Sequence, residues 1–386
     1  MSRGYVRAIL PVLLVTLAAA PAAGAAVRVW VVGDGGVSGP EDDAVAARIE
    51  TEGIDRLLYL GDVYEDGTAV EFANRYHPSF GRFKRITAPT IGNHEWANRA
   101  TGYDAYWGPL ARRRSDGGYW YSFDVGGWHV VSLSSMQRTG PTSAQASWLR
   151  RDLRKRPGTC TIAFTHHPRH SASFHGDTPR LDPLWRALSG RAVAVLAGND
   201  HSYQRHRPNR GLVQFVVGTG GRRLYDVDES DSRLAASHDR SHGALLLRLG
   251  RRRVTFAFVT AEGARLDSGA LPCRPHAARV RILRPRDGVR YRRGLRTLRV
   301  RVRGAVRPAV VSLARRASTG CRVLWRGRFR SLPCLTRLGF RIPDLPGGRV
   351  RPLGRRSLPA GRYVLTVRAR GFDGRIVSRF VRFRVG

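Results

Sequence analysis

The sequence predicts an α/β sandwich of two sheets followed by a C-terminal all-β sandwich, and three observations support this prediction. Short apolar runs alternate with helical patterns from Val27 to about Leu271. Beyond Pro272 the composition changes, and arginine alternates with apolar residues at a period of two. The chain of 386 residues is also too long for one ordinary domain. We therefore expect two folded units behind an N-terminal targeting segment.

Residues 1–25 are predicted to be a signal peptide. Arg3 and Arg7 precede the apolar run AILPVLLVTLAAA, and the alanines of PAAGAA fit a small-residue cleavage site. The run is short for a membrane span, which needs about 20 apolar residues. A retained N-terminal anchor is the alternative. With the signal peptide removed, the mature chain would begin near Ala26 and work in a secreted, extracytoplasmic location.

Residues 26–272 are predicted to form the first domain. RVWVVGD and RLLYLGD are apolar runs that end in glycine and aspartate, and Pro40–Glu52 between them has a helical pattern. The stretch YWYSFDVGGWHVVSLSS is typical of a hairpin around Gly126 and Gly127. Further helices are predicted in TAVEFANRYHPSF and SAQASWLRRDLRKR, and further strands in CTIAFTHHP, AVAVLAGNDH, LVQFVVGTGG, GALLLRLG and RVTFAFVT. This mixture indicates layered sheets and helices.

Residues 276–386 are predicted to form an Arg-rich β-sandwich. Runs such as RTLRVRVRG and RYVLTVRAR place arginine outside and apolar side chains inside. The only acidic residues in this segment are Asp287, Asp344 and Asp373, and no catalytic cluster is evident. The segment is similar to the Ig-like accessory modules of secreted bacterial proteins.

The formal charge of +38 has two explanations. The arginines form an anion-binding surface, or they reflect a GC-rich genome without any partner. They are scattered rather than gathered in one stripe, so we favour the second explanation and expect no specific nucleic-acid recognition. Contact of the Arg-rich domain with an anionic polymer or the cell surface stays open.

Four cysteines in a secreted chain indicate disulfide bonds. Cys321 and Cys334 are close in sequence and would staple one hairpin or loop. Cys160 and Cys273 would then join the start of an internal strand to the end of the first domain. This pairing is one of three possible connectivities.

Five predicted strands of the first domain end in polar residues. The ends are GDGG, GDVY, GNHE, THHP and GNDH, each with glycine or proline close by. One such end would be explained by a capping residue, but five in a single α/β domain are not. Carboxylate, amide and imidazole groups together suit divalent or trivalent metals such as Zn, Fe and Mn.

In this order the motifs resemble the series GD, GDxxY, GNH[ED], HxP and GHxH of the calcineurin-like metallophosphoesterase family, and in particular its purple acid phosphatase branch. The resemblance spans Val27 to Thr260. It implies two facing β-sheets flanked by helices, with two metal ions, expected to be Fe, Zn or Mn, at the strand ends. It also assigns roles to individual residues. Asp34 and His201 would bind the first metal, Asn93 and His166 the second, and Asp62 both.

The resemblance places His94 beside the phosphate, where it would donate a proton to the leaving oxygen, and makes His175 a substrate contact. Two positions depart from the family pattern. Tyr64, a candidate ligand of the first metal, follows Asp62 by two residues instead of three, which leaves its coordination open and argues against a coloured Fe(III)–tyrosinate centre. Asn199 stands where the family has a histidine ligand of the second metal. An amide oxygen is the weaker and harder ligand, so the second metal would be Mn, Mg or Ca rather than Zn, or loosely held.

The resemblance thus implies a secreted, metal-dependent phosphoric ester hydrolase of the acid phosphatase type. It would hydrolyse phosphate monoesters of small molecules by metal-activated hydroxide, with the two metals about 3.5–4 Å apart. The alternatives are a phosphodiesterase or nucleotidase of the same superfamily, an inactive degenerate member, and a non-catalytic anion-binding surface protein.

Overall fold

The computed structural model describes residues 26–111, 114–273, 277–303, 305, 309–325, 328–332, 340–341, 349–354, 356–371 and 375–386. The predicted signal peptide lies outside these ranges. Among the described residues, no helix combines the length and the apolar character that crossing a membrane requires.

The chain between Val27 and Pro272 forms two β-sheets. Its strands are β1 (Val27–Val32), β2 (Arg56–Tyr59), β3 (Thr87–Pro89), β4 (Tyr121–Val125), β5 (Trp128–Ser132), β6 (Cys160–Phe164), β7 (Ala194–Ala197), β8 (Tyr203–His206), β9 (Val213–Val217), β10 (Leu234–His238), β11 (Gly243–Leu249), β12 (Arg253–Thr260) and β13 (Arg265–Pro272). The first sheet has the order β13-β12-β11-β1-β2-β3, and the second has the order β10-β8-β9-β7-β6-β5-β4. Strands β1 to β3 run parallel, as do β5, β6, β7 and β9.

Helical segments lie between these strands. They are α1 (Pro40–Glu52), α2 (Ala69–Glu71), α3 (His77–Ser79), α4 (Ala105–Trp107), α5 (Ala144–Lys155) and α6 (Asp182–Leu188), with π-helical turns at Phe72–Tyr76 and Ala100–Asp104 and 3-10 turns at Phe80–Ile86, Gly108–Ala111 and Pro179–Leu181. The helix predicted at Pro40–Glu52 is confirmed, and so is the one in SAQASWLRRDLRKR. The stretch TAVEFANRYHPSF is helical but irregular, because α2, a π-helical turn and α3 follow one another there.

Alternate residues of the strands face two different cores. On β1, Val29 and Val31 belong to the core between the two sheets, whereas Trp30 and Val32 pack with α1. A third cluster packs α5 and α6 on the outer face of the second sheet. The period-two alternation of the strands therefore buries both faces of each sheet, and the layers follow the order helix, sheet, sheet, helix.

Two local predictions in this region are confirmed. The hairpin of β4 and β5 turns at Gly126 and Gly127, whose φ angles are 57° and 77°. A two-residue turn of this kind needs positive φ at both positions, which glycine adopts without steric cost. Cys160 and Cys273 form a disulfide bond with a Cα–Cα distance of 5.7 Å. Cys321 is also disulfide-bonded, and its predicted partner Cys334 lies outside the described residues.

The C-terminal region is built from strands alone in its described part. They are β14 (Arg279–Arg284), β15 (Arg290–Tyr291), β16 (Leu298–Arg303), β17 (Val310–Arg316), β18 (Cys321–Trp325), β19 (Arg328–Leu332), β20 (Phe340–Arg341), β21 (Arg349–Val350), β22 (Gly361–Arg370) and β23 (Ile376–Val385). One sheet has the order β14-β16-β21, and a seven-stranded sheet has the order β15-β23-β22-β17-β18-β19 with β20 paired to β17.

The expected inside-outside alternation is seen on β22. Tyr363, Leu365, Val367 and Ala369 are buried in a separate apolar core, and Arg362 and Arg370 at the ends of the strand are exposed. Assignment of this region to the Ig-like type, and the domain boundary near Pro272, stay predictions.

Candidate metal centre

Loops at the carboxyl ends of five strands carry the predicted ligands. In the first sheet β1, β2 and β3 lead to Asp34, Asp62 and Asn93, and in the second sheet β6 and β7 lead to His166 and His201. Because the carboxyl ends of parallel strands meet at one edge of a sheet, these side chains converge. The contacts below show that they reach one another across the two sheets.

Asp34, Tyr64 and His201 lie together where the first metal is predicted, and we call this place the first metal position. The Tyr64 hydroxyl lies 2.8 Å from Nε2 of His201 and 3.2 Å from Oδ1 of Asp34. The Nδ1–H of His201 donates to the carbonyl oxygen of Arg223 at 2.8 Å, which leaves Nε2 as the ligand nitrogen. All three side chains are buried. The shorter spacing from Asp62 therefore does not remove Tyr64 from the centre.

Asn93 and His166 lie together where the second metal is predicted, and we call this place the second metal position. Nε2 of His166 lies 2.9 Å from Oδ1 of Asn93. The Nδ1–H of His166 donates to the carbonyl oxygen of Leu60 at 2.9 Å, so Nε2 is again the nitrogen that faces the site. His166 is buried and Asn93 is exposed, so this position lies nearer to solvent.

Asn199 has a backbone role at the first metal position. Its N–H lies 3.0 Å from Oδ1 and 2.9 Å from Oδ2 of Asp34, and so it donates to that carboxylate. Coordination of a metal by the Asn199 amide, which the sequence predicts at the second metal position, stays a prediction.

Asp62 lies between the two positions. Its Oδ2 is 3.4 Å from the Tyr64 hydroxyl and 3.3 Å from Nε2 of His166. Its Oδ1 accepts the backbone N–H of His94 at 3.2 Å. One carboxylate thus contacts a residue of each position, as a bridging ligand must.

Three of the site residues have left-handed backbone conformations. The φ angles are 59° at Asp34, 65° at Asp62 and 68° at Asn199, and these are three of the five non-glycine residues with positive φ in the described part of the chain. Aspartate and asparagine tolerate this region better than most residues. Such strained conformations concentrate at functional sites, where they direct side chains that a regular strand end would not.

Glycines permit the close approach of the loops. A Cβ atom at Gly92 would lie 1.9 Å from Oδ1 of Asp62, and one at Gly198 would lie 2.4 Å from Oδ2 of Asp34. Any larger residue at either position would displace a carboxylate of the centre.

Burial and charge shift the pKa values within the centre. Burial raises the pKa of Asp34 to about 8, although the charge of His166 opposes this shift. The pKa of Asp62 is lowered, because the charge and hydrogen bond of His166 outweigh the effect of burial. Burial also acts on His166, but Asp62 outweighs it and raises the pKa of His166 to about 10. Burial lowers the pKa of His201 to about 4.

These residues fit a pair of cations. Among the described residues, ligand atoms of Asp34, Asp62 and His166 all lie within 4.8 Å of one another. Two buried carboxylates so close together raise each other's free energy unless positive charge lies between them. Carboxylate, phenol, imidazole and amide donors are ligands of Fe, Zn and Mn.

The two remaining predicted residues lie at the edge of the centre. Nδ1 of His94 is hydrogen-bonded to the carbonyl oxygen of Glu65, and its Nε2 lies 3.8 Å from Oδ2 of Asp62. His175 is exposed, and its ring centroid is 5.7 Å from that of Tyr225. Its backbone N–H donates to the buried carboxylate of Asp200 at 2.9 Å. His94 thus faces the ligands, whereas His175 lies further out.

Sequence reasoning missed two residues beside the centre. The ring of Tyr225 stacks on His201 with a centroid distance of 4.1 Å. The guanidinium of Arg222 lies 4.6 Å from the ring centroid of Tyr64 and forms an ion pair with Glu65. Both follow the turn after β9, which lies beside the site, since Arg222 N–H donates to the carbonyl oxygen of Asp34. No periodicity singles out either residue.

Comparison with known proteins agrees with this geometry. Residues 27–203 match the family model described as calcineurin-like phosphoesterase. Purple acid phosphatase 21 of Arabidopsis thaliana is 30% identical over 207 residues, which are 46% of this chain and 46% of that protein. The chain therefore spans less than half the length of this relative. Residues 27–203 are thus similar to calcineurin-like phosphoesterases, and the similarity to purple acid phosphatase 21 supports the purple acid phosphatase-like branch.

Two solved structures share the fold. The purple acid phosphatase PPD1 of yellow lupin (Lupinus luteus) superposes with a TM-score of 0.53 at 16% identity, over 64% of this chain and 53% of that one. GAP50 of Plasmodium, described as the anchor in the inner membrane complex, superposes with a TM-score of 0.53 at 15% identity, over 65% of this chain and 90% of that one. The predicted α/β metallophosphoesterase fold is confirmed, and the family implies a dinuclear metal centre.

Proposed function

We propose that this protein hydrolyses phosphate monoesters as a secreted, metal-dependent enzyme of the acid phosphatase type. The observation that carries the proposal is the convergence of Asp34, Asp62 and His166, whose ligand atoms lie within 4.8 Å. Tyr64 and His201 extend this cluster on one side, and Asn93 extends it on the other. Two cations bound there would supply Lewis acidity to a phosphoryl group and lower the pKa of a water molecule.

The chain's own residues hold the cations and move a proton. Asp34, Tyr64 and His201 would hold the first cation, Asn93 and His166 the second, and Asp62 both. The metals themselves would be Fe, Zn or Mn, with the harder cations favoured at the second metal position if Asn199 coordinates there.

His94 is the candidate proton donor. A carbonyl oxygen only accepts hydrogen bonds, so the contact with Glu65 fixes a proton on Nδ1 of His94. Nε2 is then the nitrogen that gains or loses a proton, and it faces Asp62 at 3.8 Å. An imidazolium in this place would protonate the leaving oxygen of a phosphate ester. His175 at the rim would contact the substrate.

Elemental analysis of the purified protein together with an aryl phosphate assay tests this proposal. We expect about two metal equivalents per chain and turnover of aryl phosphate that a chelator abolishes and metal addition restores. Asp116→Asn, a half-exposed aspartate paired with Arg114, is the matched control and should keep both properties. Protein with a full metal content and no turnover of any phosphoester would contradict the proposal.

A phosphodiesterase or nucleotidase is the rival activity, because the walls of the pocket decide the substrate. Hydrolysis of bis-aryl phosphate faster than aryl phosphate would favour this rival. A non-catalytic anchoring protein is the second rival. It is considered because the chain shares its fold with GAP50, which is described as an anchor. It requires that neither ester is turned over by the metal-loaded protein.

We also propose that the protein is exported and that its Arg-rich region contacts an anionic polymer or the cell surface. The signal-peptide pattern of residues 1–25 and the Cys160–Cys273 disulfide support export, because disulfides persist in oxidising compartments. Cell fractionation of the full chain and of a variant without residues 1–25 tests this. Retention of both forms in the cytosol would contradict export.

A further inference from the structure

Four arginines form a row across the seven-stranded C-terminal sheet. Arg290 of β15 is the partner of Arg384 in β23, and Arg384 is the partner of Arg362 in β22. Arg316 of β17 stands next to Arg362 by the antiparallel register of β17 and β22. Neighbouring strands lie about 4.8 Å apart, so this arginine row is about 15 Å long.

The arginine row lies on one face of the sheet. All four of its members line the same open cavity of about 650 Å³, and Arg382 lines it as well. Partner residues on neighbouring strands point to the same side of a sheet, as do residues two apart on one strand, so five guanidinium groups lie on one surface. This surface is distinct from the metal centre and lies wholly within residues 288–384.

No acidic side chain forms an ion pair with the arginine row in the described part of the region. Asp287 is the one acidic residue after Cys273 there, and its Oδ1 accepts the backbone N–H of Arg382. Arg290 donates to a main-chain oxygen of Gly386. Like charges directly opposite one another destabilise a sheet. A row of uncompensated arginines is therefore a cost to folding that an anionic ligand would remove.

We propose that the arginine row binds an extended polymer that carries phosphate groups. Guanidinium groups form paired hydrogen bonds with phosphate, and a rigid row presents them to successive groups along a chain. Phosphate is favoured over carboxylate because the same chain is similar to calcineurin-like phosphoesterases, so the choice of phosphate rests on the proposed function. Such a polymer would hold the enzyme among phosphate esters.

The test compares two double variants that lose the same charge. Arg362→Gln with Arg384→Gln interrupts the row, whereas Arg281→Gln with Arg301→Gln removes an exposed cross-strand pair of β14 and β16. Binding of short-chain polyphosphate is measured by calorimetry at several salt concentrations. We expect the row variant to bind at least about tenfold more weakly, with a salt slope smaller by about two, and the control to stay within about twofold of the unmodified protein.

Equal losses in both variants would overturn the proposal, because net charge alone would then explain binding. Equal binding of polyglutamate would overturn the choice of phosphate, and tighter binding of duplex DNA would replace the polymer by nucleic acid. Thermal unfolding separates lost binding from misfolding, since removing like charges should leave the row variant at least as stable. Aryl phosphate turnover should be unchanged in both variants. Absence of turnover in the unmodified protein would contradict the proposed phosphatase activity. Polyphosphate binding, in contrast, tests the arginine row alone.

Discussion

The two metal positions share the way in which their histidines are hydrogen-bonded, but they differ in the chemical type of their other donor groups. In both, a backbone carbonyl fixes the proton on Nδ1 of a histidine and leaves Nε2 for the metal: Arg223 does so for His201 and Leu60 for His166. The first metal position adds a buried carboxylate and a phenol, whereas the second adds the amide of Asn93, with Asn199 predicted as a further amide donor. Anionic donors bind trivalent and divalent cations more strongly than neutral amides.

From this difference we expect the centre to be asymmetric in metal affinity. Asp34, Tyr64 and His201 are all buried, while Asn93 at the second metal position is exposed to solvent. We expect the first cation to be held tightly and the second to exchange with solution. Asp62, which contacts both positions, couples the two affinities.

The largest effect is expected from Asp62→Ala, which removes the carboxylate that contacts both metal positions. Both cations should be lost, and turnover of aryl phosphate should fall by more than about 1000-fold, because the cations supply several kcal/mol of transition-state stabilisation. Elemental analysis and kinetics check this against Asp116→Asn. Rates like those of the unmodified protein would refute the assignment of Asp62.

The histidines separate the two positions. His201→Ala should cost one metal equivalent at the first metal position, and His166→Ala should cost one at the second. Either loss should slow turnover by about 100-fold or more, since the paired arrangement is broken. Metal analysis after dialysis distinguishes them: the first variant should retain the weakly bound cation only. Loss of both equivalents from each variant would show that the positions do not fill independently.

His94 belongs to neither position. His94→Ala should reduce kcat by about 100-fold, which is the range for loss of a general acid, while metal content stays at two equivalents. If aryl phosphates with better leaving groups lost as much rate as those with poor ones, the role as proton donor would be wrong.

Metal uptake should release one proton from each position. In the metal-free protein the pKa of Asp34 is raised to about 8 by burial, and that of His166 is raised to about 10 because Asp62 outweighs burial. Both groups hold a proton at pH 7, so cations compete with protons, and metal affinity should rise as pH rises from 6 to 8. His201, with a pKa lowered to about 4 by burial, has no extra proton to release at pH 7. Calorimetry in buffers of different ionisation enthalpy counts the protons, and a count of zero would contradict these states.

The smallest effect is expected from Asn199→His, which would make the second metal position resemble the family pattern. An imidazole should tighten the second cation by about tenfold, with a preference for Zn. The first cation should be unaffected, because the backbone N–H of residue 199 still bonds to Asp34. Unchanged affinity at the second metal position would count against placing Asn199 there.

Much of the centre could be predicted from the sequence because its ligands follow apolar runs. Asp34, Asp62 and His166 each come within a few residues of a strand end, and parallel strands bring such ends together. The stretch from Ala69 to Ile86 is helical, but its irregular form could not be predicted. Packing of its aromatic residues, and not helical periodicity, decides that form.

The direction of the Tyr64 side chain also escaped prediction. The spacing from Asp62 left open whether Tyr64 would reach the first metal, because the path of the loop decides where its hydroxyl lies. Tyr225 and Arg222 belong to a segment without apolar periodicity, and they reach the site only because the turn after β9 bonds to Gly33 and Asp34. Contacts of this kind depend on tertiary structure alone.

The Cys160–Cys273 bridge has a mechanical consequence. Strand β13 is the edge of its sheet and leads directly toward the Arg-rich strands, so a pull from a tethered C-terminal region would peel it from β12 one hydrogen bond at a time. Cys273 is instead fastened to the first residue of β6, in the interior of the other sheet. Tension would pass through a covalent link into the middle of the two-sheet unit, and the edge strand would carry no load.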